Sequence, residues 1–292
     1  MATTGVGVDL GGTNLRAALV EIPSGKVLAS VRRAHGSRAP EAVAREVAAA
    51  VKELGASGPC GVGVAGQLKR GKVAMAPNLN WHDVDFARLL TAELNKPVAL
   101  FNDLKVAAWG EHCAGAAQGA RDSLTVFVGS GVGSAQIANG QLVLGDGGVA
   151  GEIGHLKVQL DGGRRCGCGA LGCLEAYAGG HNLEAWMKEE GLHGTVGDLE
   201  RLALGGQDSA RRLWDFASGV LGLTLANLVS QLNPGVLVLG GGVLRASPAM
   251  RARVVELIGK RATATSQEGL RITDAALGDD SGVVGAAMLA AG

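Results

Sequence analysis

The sequence predicts an α/β protein made of two related halves with a cleft between them. Three observations carry that reading. Short β-branched runs alternate with longer alanine-rich segments along the 292 residues. A strand, a glycine turn and a second strand occur twice, in "GVGVDLGGTNLRAALVEI" and in "SLTVFVGSGVGSAQIANGQLVLG". The 48 glycines are interleaved with Val, Ile, Leu and Ala, which suits many tight turns in a packed chain rather than disorder.

Taken in order, the strands expected are "GVGVDL", "RAALVEI", "KVLASVR", "CGVGVAG", "PVALF", "SLTVFVG", "SAQIANG", "GVLVLGG" and "LRITDA". The first three, joined by a Gly-Gly turn and by Ser24-Gly25, form an antiparallel meander. Helices are expected to start near Pro40, Asp83, Asp103, Asn182, Thr195, Asp208, Ser247 and Ser281. Most of these follow an Asp, Asn, Ser or Thr able to cap a first turn. The expected division is a small N-terminal domain over 1–118, joined by a C-terminal helix over 281–292, and a larger domain over 119–280.

Composition removes several function classes. Lys plus Arg and Asp plus Glu number 27 each, so no charge excess points to nucleic acid or to an anionic membrane. No run of 18 uncharged apolar residues is present, and no membrane span is expected. The N-terminus, "MATTGVGVDLGG", lacks the basic segment and apolar run of a secretory signal. With five cysteines, a cytoplasmic location and free thiols are expected rather than disulfides.

Three glycine-rich turns sit at strand ends. "DLGGTNLR" places Asp9 at the end of an apolar strand, then Gly11, Gly12 and Thr13 in the turn. Glycines let backbone amides approach an anion without a Cβ in the way, and Thr13 adds a hydroxyl. Asp9 is suited to holding hydrated Mg²⁺ beside a phosphate, although a plain hairpin with Asp9 as its cap fits too. Gly129 to Ser134 and Gly240-Gly241-Gly242 repeat the pattern, and three such turns point to a nucleotide site. No Gly-x-x-x-x-Gly-Lys-Ser/Thr occurs, which excludes a P-loop enzyme. "GVGVAG" matches Gly-x-Gly-x-x-Gly at Gly61, Gly63 and Gly66, but "QLKRGKV" follows it with no helical period, so a dinucleotide fold is not expected.

Asp103 falls where the strand "PVALF" meets a helix, a usual place for a functional carboxylate in an α/β protein. It fits a general base for a substrate hydroxyl, or equally a simple helix cap. Glu152 and His155 are three apart and would share a face of a helical turn. Glu175 and the turn residues Asn78 and Asn80 add the carboxylates and amides that a polyhydroxylated ligand requires.

"RRCGCGALGCLEAY" concentrates three cysteines in eight residues. With His155, the residues Cys166, Cys168 and Cys173 make a Cys₃His set, the ligand count of a closed, structural Zn²⁺ site. Three thiolates would leave a charge near −1, which Arg164 and Arg165 are placed to offset. Cys60 and Cys113 lie in apolar segments and read as core.

The matches "DLGGTNLR", "APNLNW", "FNDLKVAAWGE", "GSGVG", "GEIGH", "CGCGALGCLE" and "LVLGGG", in that order from Gly7 to Gly242, resemble the ROK family of repressors and sugar kinases. The turn "APNLNWHDVDF" is most similar to that of its bacterial glucokinases. The resemblance implies the two-domain, actin-like sugar-kinase (ribonuclease H-like) fold and ATP-dependent phosphorylation of a hexose 6-hydroxyl, glucose first among hexoses. It implies Asp103 as base, and Asn102, Glu152, His155 and Glu175 on sugar hydroxyls, with Asn78 and Gly66 beside them. It implies Asp9, Gly11, Gly12 and Thr13 for phosphate and Mg²⁺, Gly131, Gly133, Gly241 and Gly242 along the nucleotide, and a homodimer or homotetramer. His155 would serve zinc with one ring nitrogen and sugar with the other. Departures from the family pattern are Ser134-Ala135 for two glycines, Lys105 after the base, and Gly179 for a serine. A kinase for mannose, fructose, allose or an N-acetylated sugar, a sugar-sensing repressor and a non-catalytic sugar-binding module are the alternatives. The repressor is disfavoured because "VGVDLGGT" begins at Val6, leaving no room for a DNA-binding helix-turn-helix, and the module because binding alone needs no base.

Overall fold

The computed structural model describes residues 3–55 and 57–292. Met1 and Ala2, at the head of the expected domain over 1–118, and Ala56 lie outside the described residues. The chain forms two compact units: Met1–Arg121 with Ala135–Ala150 and Ala275–Gly292, and Asp122–Ser134 with Gly151–Asp274.

In the first unit, β1 (Thr3–Leu10), β2 (Asn14–Ile22) and β3 (Val27–Ala34) form the expected antiparallel meander. Helix α1 (Pro40–Glu53) opens on proline, whose missing N–H is no loss in a first turn. Then come β4 (Cys60–Val64), β5 (Gln67–Lys69), β6 (Lys72–Ala76), β7 (Trp81–Val84), α2 (Phe86–Leu94), β8 (Ala99–Asn102) and α3 (Asp103–Ala114). The main sheet runs β3-β2-β1-β4-β8, with β1, β4 and β8 parallel. A second, antiparallel sheet of β5, β6 and β7 holds the segment after "GVGVAG". Its β5–β6 turn has positive φ at Arg70 and Gly71, the twist a two-residue hairpin requires.

Next come β9 (Ser123–Val128) and β10 (Val132–Ala138), which pairs with β11 (Gln141–Leu142) through an Asn139-Gly140 hairpin; β10 from Ala135 onward and β11 count with the first unit, whereas β9 and the start of β10 open the second unit. It continues with α4 (Glu175–Ala178), α5 (Gly180–Glu189), α6 (Val196–Leu204), α7 (Asp208–Leu232), β12 (Val236–Gly240), α8 (Gly242–Ala246), α9 (Pro248–Arg261), α10 (Ala264–Gln267) and β13 (Arg271–Asp274). The sheet that holds β9 runs β11-β10-β9-β12-β13, with β9, β12 and β13 parallel. The core gathers Leu124, Val126, Leu213, Leu221, Leu225, Leu237 and Val254 between the sheet and α7 and α9. Among the described residues α7 alone is long and apolar enough to cross a membrane, yet 56 % of its apolar window is buried inside the protein, as in a core helix.

Helix α11 (Ser281–Ala291) returns to the first unit and packs on β1, β4 and α3. Gly7 of β1 faces the Val283 carbonyl and Gly285 faces the Val106 carbonyl, with no room for a Cβ at either place.

Two helix starts differ from expectation. Helix α2 starts at Phe86 because the Asp85 carboxylate caps it, accepting from the Arg88 amide at 3.2 Å; Asp83 lies in β7 with φ +52°. Helix α5 starts at Gly180 rather than Asn182 because the Gly180 amide is satisfied by the Gly129 carbonyl, 2.8 Å away, and needs no side-chain cap.

Candidate active site

In the first unit, β8 delivers Asn102 and Asp103 to the start of α3. Asn102, not Asp103, is the cap: its Oδ1 accepts from the Leu104 and Lys105 amides, both at 3.1 Å. The Asn102 Nδ2 donates to the Gly66 carbonyl at 3.0 Å and to Asp103 Oδ1 at 2.9 Å. Asp103 is therefore the first helical residue, with one carboxylate oxygen oriented by its neighbour. The Lys105 ammonium is buried and donates to the Gly148 carbonyl. Gly66 sits so close to Met75 and Ala76 that a Cβ would not fit.

Asp9, in β1, is register partner to Arg16 of β2, and Arg16 pairs with Asp280. Gly282 lies against the Asp9 carboxyl, where an added Cβ would be 3.2 Å from Cγ. Burial pushes the Asp9 carboxyl above its usual range, while Arg16 pulls it down and Asp279 pushes it further up. Past Asp9 the turn closes with the Gly11 amide donating to the Asn14 carbonyl at 2.9 Å. Gly12 abuts exposed Asn78, and the Thr13 hydroxyl accepts from the Asn14 amide group at 3.0 Å.

In the second unit, Ile153–His155 forms one 3₁₀ turn, so Glu152 and His155 do meet, with Oε2 and Nε2 3.8 Å apart. His155 Nδ1 faces Cys166 Sγ at 3.7 Å, and Cys168 Sγ faces Cys173 Sγ at 3.7 Å. All four ligand atoms lie within 4.8 Å of one another. A tetrahedral site with Zn–S near 2.3 Å has S···S edges of about 3.8 Å, which the Cys168–Cys173 separation of 3.7 Å matches, so the donor set fits zinc. A disulfide is excluded by the same separations, and all five cysteines are free thiols.

The charge expected to come from Arg164 and Arg165 comes from elsewhere. Arg164 forms a bidentate pair with Glu189 at 2.6 and 3.0 Å and stacks over Trp186; Arg165 points at the Gly169 carbonyl. It is Lys157 that reaches the cluster, donating to Cys173 Sγ at 2.8 Å, and this hydrogen bond raises the Lys157 ammonium above its usual range. Lys157 and Cys173 meet through an isolated antiparallel bridge, a long-range pairing that "GHLK" does not announce.

Glu175 opens α4 directly after the cysteines. Its Oε2 accepts from the Val132 amide at 2.9 Å, and Oε1 lies 3.8 Å from Cys166 Sγ. Gly131 faces this carboxylate, so close that a Cβ would be 2.4 Å from Oε2. Gly133 lies within β10 rather than in the turn. Gly241, with φ +98°, packs on the Val128 backbone, and Gly242 has open space where a Cβ would be. Cys60 and Cys113 stand apart from all of this, each pushed up to about 11 by burial.

Mixed sheets led by glycine hairpins, a carboxylate at a strand-to-helix junction and a Cys₃His set together mark a sugar kinase of the actin-like ATPase fold. The chain belongs to the ROK family, whose sequence profile matches residues 5–292. It is 31 % identical to a glucokinase of Halalkalibacterium halodurans, covering 97 % of this chain and 94 % of the relative. The structure resembles a ROK hexokinase from Thermus thermophilus at TM-score 0.83 and 36 % identity, covering 99 % and 98 % of the two chains. It also resembles a ROK family glucokinase from Streptomyces griseus, solved with glucose and AMPPNP, at TM-score 0.81 and 29 % identity over 98 % and 99 %.

Proposed function

We propose that this chain transfers the γ-phosphoryl group of ATP to the 6-hydroxyl of D-glucose, releasing glucose 6-phosphate and ADP. The glucokinase relatives support the reaction. The observation that supports the mechanism is the placement of Asp103: Asn102 does the capping, and Asp103 opens α3 with its Oδ1 accepting from Asn102 Nδ2. As the sugar oxygen bonds to the γ-phosphorus and the bond to the bridging oxygen breaks, the hydroxyl proton passes to Asp103 and then to solvent.

Glu152, His155 and Glu175 hold sugar hydroxyls, with Asn78 at the edge. Both amide hydrogens of Asn102 are already engaged with Gly66 and Asp103, so Asn102 and Gly66 orient the base. Gly11, Gly12 and Thr13 donate to phosphate, Gly241 and Gly242 line the nucleotide, and Gly131 seats Glu175. Asp9 is the carboxylate that would hold the Mg²⁺ carried with ATP, which would supply screening of phosphate charge. The Cys₃His set holds one structural Zn²⁺, with Nδ1 of His155 turned to the thiols so that Nε2 is left for the sugar. The protein works in the cytoplasm as a homodimer or homotetramer.

Steady-state rates across glucose, mannose, fructose, allose and N-acetylated hexoses, with ATP or polyphosphate as donor, test the reading. Glucose with ATP should give the highest kcat/KM. Asp103→Asn should abolish turnover while glucose affinity stays within about tenfold. Near-normal turnover in that variant would remove Asp103 as base.

A further inference from the structure

Beyond the phosphate turn itself, one buried histidine has no role in the reaction just described. His35 follows β3 and is only 7 % exposed. Its side chain and its main chain both fasten the turn after Asp9. The ring Nε2 lies 2.9 Å from the Gly11 carbonyl oxygen, and the His35 amide donates to the Thr13 carbonyl at 3.0 Å. Ring Nδ1 faces the Ser37 carbonyl at 3.1 Å. The segment beyond is held in turn, because the indole of buried Trp81 donates to the Arg38 carbonyl at 2.6 Å.

We propose that His35 is a positioning residue for the nucleotide: its Nε2–H fixes the Gly11 carbonyl and thereby aims the Gly12 amide at phosphate. The reasoning is planar geometry. In a trans peptide the carbonyl of one residue and the N–H of the next point in opposite directions. With the Gly11 C=O held on the His35 side, the Gly12 N–H points to the opposite side. Asn78 closes the space where a Cβ of residue 12 would be, so only glycine fits at this point of the turn. A glycine turn left to itself samples many conformations, so a donor that selects one of them lowers the entropy lost on binding an anion.

The inference rests on the proposed role of this turn in binding ATP phosphates, and the test separates the two. Glutamine places an amide donor near the position of imidazole Nε2, and asparagine near that of Nδ1. His35→Ala should raise KM for ATP roughly five- to tenfold, the worth of one fixed hydrogen bond, and leave KM for glucose within twofold. His35→Gln should restore most of the ATP affinity, and His35→Asn should not. Calorimetric titration of each full-length variant with MgADP should follow the same order. Equal behaviour of the Gln and Asn variants, or an alanine variant that binds nucleotide like wild type, overturns the role of His35. Wild-type protein that binds no MgADP overturns the phosphate-turn reading instead.

Discussion

Gly131→Ala is the substitution whose effect can be worked furthest. The new methyl would sit 2.4 Å from Glu175 Oε2, inside any allowed contact, so the carboxylate has to leave the Val132 amide. That hydrogen bond has a charged acceptor, and its loss costs about 1.5–3 kcal/mol. Where Glu175 must be in place for the sugar to bind, that range converts to a rise in KM for glucose of roughly 10- to 150-fold. Gly219→Ala is the matched control, because nothing lies within 4 Å of its Cβ position. Steady-state kinetics with glucose and ATP varied in turn should therefore give a glucose defect for Gly131→Ala alone. An unchanged KM for glucose in that variant would refute the seating of Glu175 by the turn.

Three further outcomes follow from side chains outside the turns. Metal analysis of protein purified under reducing conditions should find one zinc per chain, and Lys157→Ala should release it to a colorimetric chelator several-fold faster, because Cys173 loses its outer hydrogen bond; an unchanged release rate would leave Lys157 without influence on the metal. Glu111→Ala should lower stability by about 3–5 kcal/mol at unchanged denaturant slope, since this fully buried carboxylate accepts from the Ala116, Ala276 and Leu277 amides at 2.8, 3.0 and 2.9 Å. Cys60, buried and pushed up to about 11, should stay unmodified by maleimide at pH 8 in the native protein and react once it is unfolded, because burial keeps it a neutral thiol far below that value; fast native labelling of Cys60 would contradict its burial.

Much of this was legible because local chemistry and global fold agree. The meander and the helices opening at Pro40 and Asp103 follow from turn residues and caps that act within a few positions, whereas the strand expected over "SAQIANG" ends at Ala138 because Asn139-Gly140 forms a hairpin turn. The Cys₃His set was legible for the same reason, three ligands falling within eight residues. What the sequence hid depends on distant pairing. Lys157 reaches Cys173 only through a bridge between segments, and Gly180 starts a helix only because Gly129 lies against it. Asp103 read equally as base or as helix cap in the sequence, and the bonds from the Leu104 and Lys105 amides to the Asn102 side chain assign the cap to its neighbour. The sheet of β5, β6 and β7 is hidden because its strands lack the continuous apolar runs of β4, β8 and β12: β5 ends on Lys69, β6 opens on Lys72 and β7 carries exposed His82 and Asp83.

The seat of α11 on β1 has a consequence for how the protein is made. The strand ending at Leu10 emerges from the ribosome first, while the helix that covers its Gly7 face starts at Ser281. At about 5–20 residues per second, that interval is roughly 14 to 54 seconds. Throughout it the first sheet waits with one apolar face uncovered, and the nascent chain is a natural client for chaperones. Truncations that remove α11 should therefore yield insoluble protein, even though every residue proposed for chemistry has already been synthesised.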